Sequence, residues 1–140
     1  MTAVAMQSVA EPFIRLRADR HLGRGRIVLL AGGTGQPCAA ADYAAVQRPV
    51  ELSADALLVA KRGVDGVYDS DPKTHPDAKR YAHHTYQQAV DRRVNVMDTS
   101  AFLLAEEQNL VMHVFDALRT SVRARRCMDR FGVSRSWQGG

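Results

Sequence analysis

The sequence predicts an α/β fold with a mainly parallel sheet and helices on both faces. Three short aliphatic runs, Ile27 to Ala31, Ala56 to Ala60 and Leu110 to Phe115, read as buried strands. Stretches with helical apolar spacing separate them, and strands alternating with helices imply crossover connections between parallel neighbours. Glycine and Asp-Gly or Asp-Pro turns follow the first two runs, where such a sheet presents its carboxyl edge.

Taken in order, Ser8-Val9-Ala10-Glu11 has the spacing of a capping box, with Pro12 close behind. Val9, Phe13 and Leu16 recur at helical spacing, so the first helix is expected to run to about Leu22, where Gly23 and Gly25 end it. Ile27 to Ala31 is the first strand. After a glycine-rich turn, Ala41 to about Leu52 reads as a helix that Pro49 should kink or shorten. Ala56 to Ala60 is the second strand, followed by a polar section with turns at Asp65-Gly66, Asp71-Pro72 and His75-Pro76. Thr85 to Arg92 suits a short helix. Asp98 or Thr99 then caps a longer one, in which Ala101, Leu104 and Ala105 share a face. Leu110 to Phe115 is the third strand, and Thr120 to Met128 a basic helix.

Composition narrows the function classes. The 140 residues fit one domain, and 46% hydrophobic with 24% charged content reads as soluble and globular. No apolar run approaches the length that spans a bilayer, and nothing at the amino end resembles a signal peptide. Cys38 and Cys127 provide neither a disulfide framework nor metal-ligand spacing, so a reducing cytoplasm is expected. The net charge of +4 gathers in two arginine groups, Arg15 to Arg26 and Arg119 to Arg130. Without interleaved aromatic residues for base stacking, these read as solvated helix faces rather than a nucleic-acid surface. His83-His84 lacks further metal partners, and Met97 and His113 read as core or interface residues.

The chemistry-bearing stretches are two loops. Gly32-Gly33-Thr34-Gly35 offers backbone N–H groups near a helix amino end, the arrangement of an anion nest. Val64-Asp-Gly-Val-Tyr-Asp-Ser-Asp-Pro72 adds carboxylates and an aromatic side chain. Either loop alone is an ordinary turn.

Together, Gly32-Gly-Thr-Gly-Gln-Pro37, Ala54-Asp55-Ala-Leu-Leu58 and Val64-Asp-Gly-Val-Tyr-Asp-Ser-Asp-Pro72 closely resemble bacterial UMP kinases, members of the amino-acid kinase superfamily. Met1-Thr-Ala-Val, Val9-Ala-Glu-Pro-Phe-Ile-Arg15, Arg20-His-Leu, Thr85-Tyr86 and Val96-Met97-Asp98 extend the resemblance to about Phe115. It implies transfer of the ATP γ-phosphate to UMP, with magnesium, in a cytoplasmic homohexamer. Such transfer needs both phosphates held in line and their charge neutralised. By this resemblance UMP sits against Gly33, Thr34, Gly35, Gln36, Pro37, Cys38, Ala39, Ala40 and Ala41. ATP lies near Arg62, Tyr68 and Asp71, and Asp42 and Asp98 stand near the reacting phosphates, where they would orient cationic groups or metal.

The sequence departs from the family at two places. After the glycines the family usually has Asn-Pro, two bulky residues, two hydroxyl residues and Asp; here the stretch is Gln36-Pro-Cys-Ala-Ala-Ala-Asp42. The missing hydroxyls and aromatic surface should weaken UMP binding, at about 1.5–3 kcal/mol per hydrogen bond lost to a charged partner. The resemblance also covers only the family's later portion, so the chain reads as a single partial domain over residues 1–140, with a divergent basic tail over 116–140. The family's first phosphate loop, with its lysine, has no counterpart here. Lacking that portion, the sheet is expected to expose an edge and an apolar face.

Overall fold

The computed structural model describes residues 1–6, 8–63, 66–70, 74–81, 85–91, 94 and 96–117. Its elements are α1 (Arg15–Leu22), α2 (Ala41–Glu51), β1 (Ala56–Lys61), β2 (Val67–Tyr68), β3 (Arg80–Tyr81), α3 (Tyr86–Asp91), α4 (Thr99–Glu107) and β4 (Val111–Asp116). The expected helix at Thr120 to Met128 lies outside the described residues, as does His83-His84.

β1 and β4 pair in parallel, in register from Ala56 opposite Val111 to Lys61 opposite Asp116. Parallel neighbours need a long crossover. Here it contains the antiparallel β2–β3 pair and both α3 and α4. The β2–β3 pair was not expected from the sequence, since strands of two residues are too short to show a period.

The core lies between the helices and one face of the ladder. Val46 of α2, Ala89 of α3, Ala101, Phe102 and Ala105 of α4, with Val94, Met97 and Leu110, form one buried cluster. Leu57 and Val59 of β1 and Met112 of β4 pack against it. The Tyr86 hydroxyl donates to the Leu110 carbonyl, tying α3 to the start of β4. Burial pushes the Tyr86 phenol above its ordinary range. What the neutral phenol contributes is therefore present below that ordinary range and lost as pH rises past the raised value.

The aliphatic run of β1 leads the sequence reading to burial on both faces. Instead exposure alternates, with Leu58 and Ala60 open. A continuous aliphatic run fits burial on two faces, but contacts decide it, and the described helices cover the face carrying Leu57 and Val59.

Pro49 does not break α2. It lies two residues before the helix end at Glu51, so the missing N–H removes a single intrahelical bond. Its carbonyl then accepts from the Ala54 N–H at 2.9 Å, closing the turn into β1.

The amino-terminal expectation needs correction. The first helix begins at Arg15, not after Ser8. Glu11 precedes Pro12, and the proline ring drives the preceding residue out of the helical region, which defeats the capping box. Residues 11–13 instead flank Thr2, whose N–H donates to the Glu11 carbonyl and whose carbonyl accepts from Phe13. On the other side of the same short segment, the Ala3 N–H donates to the Ala31 carbonyl, and the Ala31 N–H to the Met1 carbonyl. The Met1 ammonium donates to the Leu29 carbonyl. On α1 itself only Ala18 is buried, and Leu16 is exposed. The His21 ring, hydrogen-bonded to Glu11 with help from Arg17, holds the Glu11 carboxyl below its ordinary range.

Ile27 to Ala31, expected as a buried strand, is an extended segment that bridges Thr2 through Ala31. Ile27 is 84% exposed and Leu29 79%.

Candidate nucleotide site

The glycine loop turns sharply between the extended segment and α2. Gly32, Gly33 and Gly35 all have positive φ, and so does Cys38, at 62°. The Gly35 N–H donates to the Gly32 carbonyl, and the Gln36 N–H to the Thr34 Oγ1. One amide of the expected nest, that of Gly35, is thus used within the loop, as is the Gln36 amide that follows it. Those of Gly33 and Thr34 have no hydrogen-bond partner among the described residues.

Arg48 fixes the loop from below. Its Nη2 donates to the Gly33 carbonyl at 3.1 Å, and its Nη1 pairs with Glu51 at 2.7 Å. The guanidinium also lies 4.2 Å from the centre of the Phe13 ring, a cation–π contact. Sequence reasoning missed Arg48. Its only signal is a basic residue facing the loop from the same helix, and nothing local links it to Gly33 or Phe13.

The loop ends at Ala40, which occupies the N-cap of α2 with φ −67° and ψ 147° and offers no side-chain cap. The backbone already has cap geometry, so only the hydroxyl is missing. Ala40→Ser should stabilise the protein by about 1 kcal/mol, seen as a higher unfolding midpoint in urea with an unchanged slope. An unchanged midpoint would show that other groups or water already serve these amides.

Asp42, in the first turn of α2, meets Lys61 at the end of β1, with Nζ 3.6 Å from Oδ1. Arg62 follows and is exposed. The Gly63 N–H donates to Oδ1 of Asp116, a buried carboxylate at the end of β4. Gly33 to Ala41, Asp42 and Arg62 therefore belong to one region, joined by Arg48 and by the Asp42–Lys61 pair. Tyr68 is partly buried in β2, opposite Arg80 of β3. Asp98 stands exposed at the start of α4, where its carbonyl accepts from Ala101 and Phe102. No hydrogen bond or ion pair links it to Asp42 among the described residues. Asp71 lies outside the described residues.

The amino acid kinase family model matches residues 8–116. The chain belongs to the amino acid kinase family. The uridylate kinase of Frankia alni is 54% identical over 116 residues, which is 83% of this chain and 45% of that protein. The uridylate kinase of Deinococcus radiodurans is 47% identical over 125 residues, covering 89% of this chain and 51% of the relative. Among solved structures, UMP kinase from Bacillus anthracis superposes with a TM-score of 0.87 at 48% identity. That match covers 92% of this chain and 53% of the other. The chain is thus UMP kinase-like, and it spans about half the length of the curated relatives it matches. Among the described residues of this amino acid kinase, no helix is long and apolar enough to cross a membrane.

Proposed function

We propose that the chain is a UMP kinase-type protein of pyrimidine nucleotide biosynthesis, with weak or no turnover as a 140-residue polypeptide. The observation that carries this reading is the junction of loop, α2 and β1. A glycine turn anchored by Arg48 opens a helix whose first-turn carboxylate meets a cation at the end of a parallel strand. That edge is where open α/β sheets hold ligands.

In this reading residues 33–41 face UMP, while Arg62, Tyr68 and Asp71 surround ATP. Asp42 and Asp98 act through cationic groups, since a carboxylate set directly on phosphate would be repelled. Among the described residues no cluster of three His, Cys, Asp or Glu forms a metal cage. Magnesium would arrive on the nucleotide phosphates, keeping several of its waters. A homo-oligomeric, cytoplasmic protein is part of the same proposal.

A second reading is a non-catalytic relative that binds nucleotide or joins kinase subunits as an assembly or regulatory partner. The side chains of Cys38 to Ala41 favour it, because they present no hydroxyl to a nucleotide and Ala40 leaves its helix uncapped by any side chain. A coupled assay of UDP formation from ATP and UMP, run beside calorimetric titration with each nucleotide, separates the two. UDP above a no-protein control supports the kinase. ATP binding without turnover favours the relative, and binding of neither nucleotide overturns the kinase reading and leaves the relative only its assembly role.

A further inference from the structure

We propose that the Lys61 ammonium is a phosphate-binding group of this site and that Asp42 is its positioning residue, an inference that rests on the nucleotide-binding reading above.

Lys61 closes β1 at the carboxyl edge of the parallel ladder, directly before Arg62. Its backbone is held in register with Asp116, whose carboxylate also receives the Gly63 N–H at 3.1 Å. The lysine stem therefore leaves a strand end fixed on two sides. Its head meets Asp42 in the first turn of α2, beside the loop whose Gly33 and Thr34 amides have no partner among the described residues.

Charge explains why the pair matters. A helix amino end attracts anions, but a carboxylate in its first turn opposes a second negative group. Lys61 cancels that charge. Asp42 can occupy only part of an ammonium that has three donors, and the rest stay available to a phosphate oxygen.

Exposure is consistent with this. Both side chains remain 32% exposed, so the pair is neither sealed in the core nor free in solvent. As a stabilising ion pair it would be worth little, because solvent screens a partly exposed pair at this separation. The pairing does hold a flexible lysine head at one point, reducing what must be ordered when a phosphate arrives.

The test titrates the 140-residue protein with tripolyphosphate and with ATP at two salt concentrations, comparing wild type with Lys61→Met, Lys61→Arg and Asp42→Asn. Lys61→Met should weaken both ligands by roughly tenfold and flatten the salt dependence. Lys61→Arg should recover most of the loss, and Lys61→Gln replaces the methionine variant if that one does not fold. Asp42→Asn should weaken binding although it removes a negative charge; tighter binding there overturns the positioning role. Wild-type binding that Lys61→Met leaves unchanged overturns the inference alone. A wild type that binds neither ligand removes the nucleotide reading as well.

Discussion

Truncating Phe102 to alanine is expected to lower the unfolding free energy by about 3–5 kcal/mol. Ten hydrophobic residues are buried among those described, and five of them are alanines. A core this lean in large side chains depends on its few bulky ones. Phe102 is 5% exposed, on the face of α4 between Ala101 and Ala105. Its ring lies 6.2 Å from that of Tyr86, tilted by 45°, so it also seats the residue that ties α3 to β4. The alanine variant therefore leaves a cavity and loosens the Tyr86 contact together. Urea unfolding followed by circular dichroism measures the loss. Phe102→Leu should recover much of it, and Leu103→Ala, at a side chain 45% exposed on the same helix, should cost far less. Similar losses at positions 102 and 103 would show that the packing around α4 is not as described.

The parts of the fold legible in the sequence are those whose signal is local and periodic. α2, α3, α4, β1 and β4 lie within a residue or two of their expected ranges, because apolar spacing and turn residues mark each of them. The amino-terminal stretch was misread because two local signals compete there. A capping box at Ser8 to Glu11 favours a helix, and Pro12 forbids one at the residue before it. Burial was harder to read than element type. Ile27, Leu29 and Leu58 are aliphatic residues in extended segments, yet what covers them depends on distant chain and not on their neighbours in sequence. The candidate site divides in the same way. Arg62 follows the end of β1 and Asp42 opens α2, as their local signals suggest, but the glycine turn follows a segment that forms no strand of the β1–β4 sheet. Arg48 and Lys61 acquire their places only through tertiary contacts, with Gly33 and Phe13 in one case and Asp42 in the other.

Replacing Gly35 with alanine should cost about 2–4 kcal/mol and weaken nucleotide binding by the same loop displacement. Two effects add at this position. With φ at +76°, any L side chain meets the penalty of the left-handed region, roughly 1–2 kcal/mol. An added Cβ would also stand 3.0 Å from the Ala3 carbonyl oxygen and 3.3 Å from its carbon. Those are backbone atoms, and the Ala3 N–H is bound to the Ala31 carbonyl at 2.9 Å, so that segment cannot retreat without breaking the pairing that holds the loop's entry. Gly25 separates the two effects. Its φ is +71°, yet nothing lies within 4 Å of an added Cβ, so Gly25→Ala should show the conformational penalty alone. Urea unfolding of both variants gives the difference as the cost of the clash, and ATP titration should find Gly25→Ala unchanged and Gly35→Ala weakened. Equal losses of stability at the two glycines would mean that Ala3 yields, and that the turn is not braced by the amino-terminal segment.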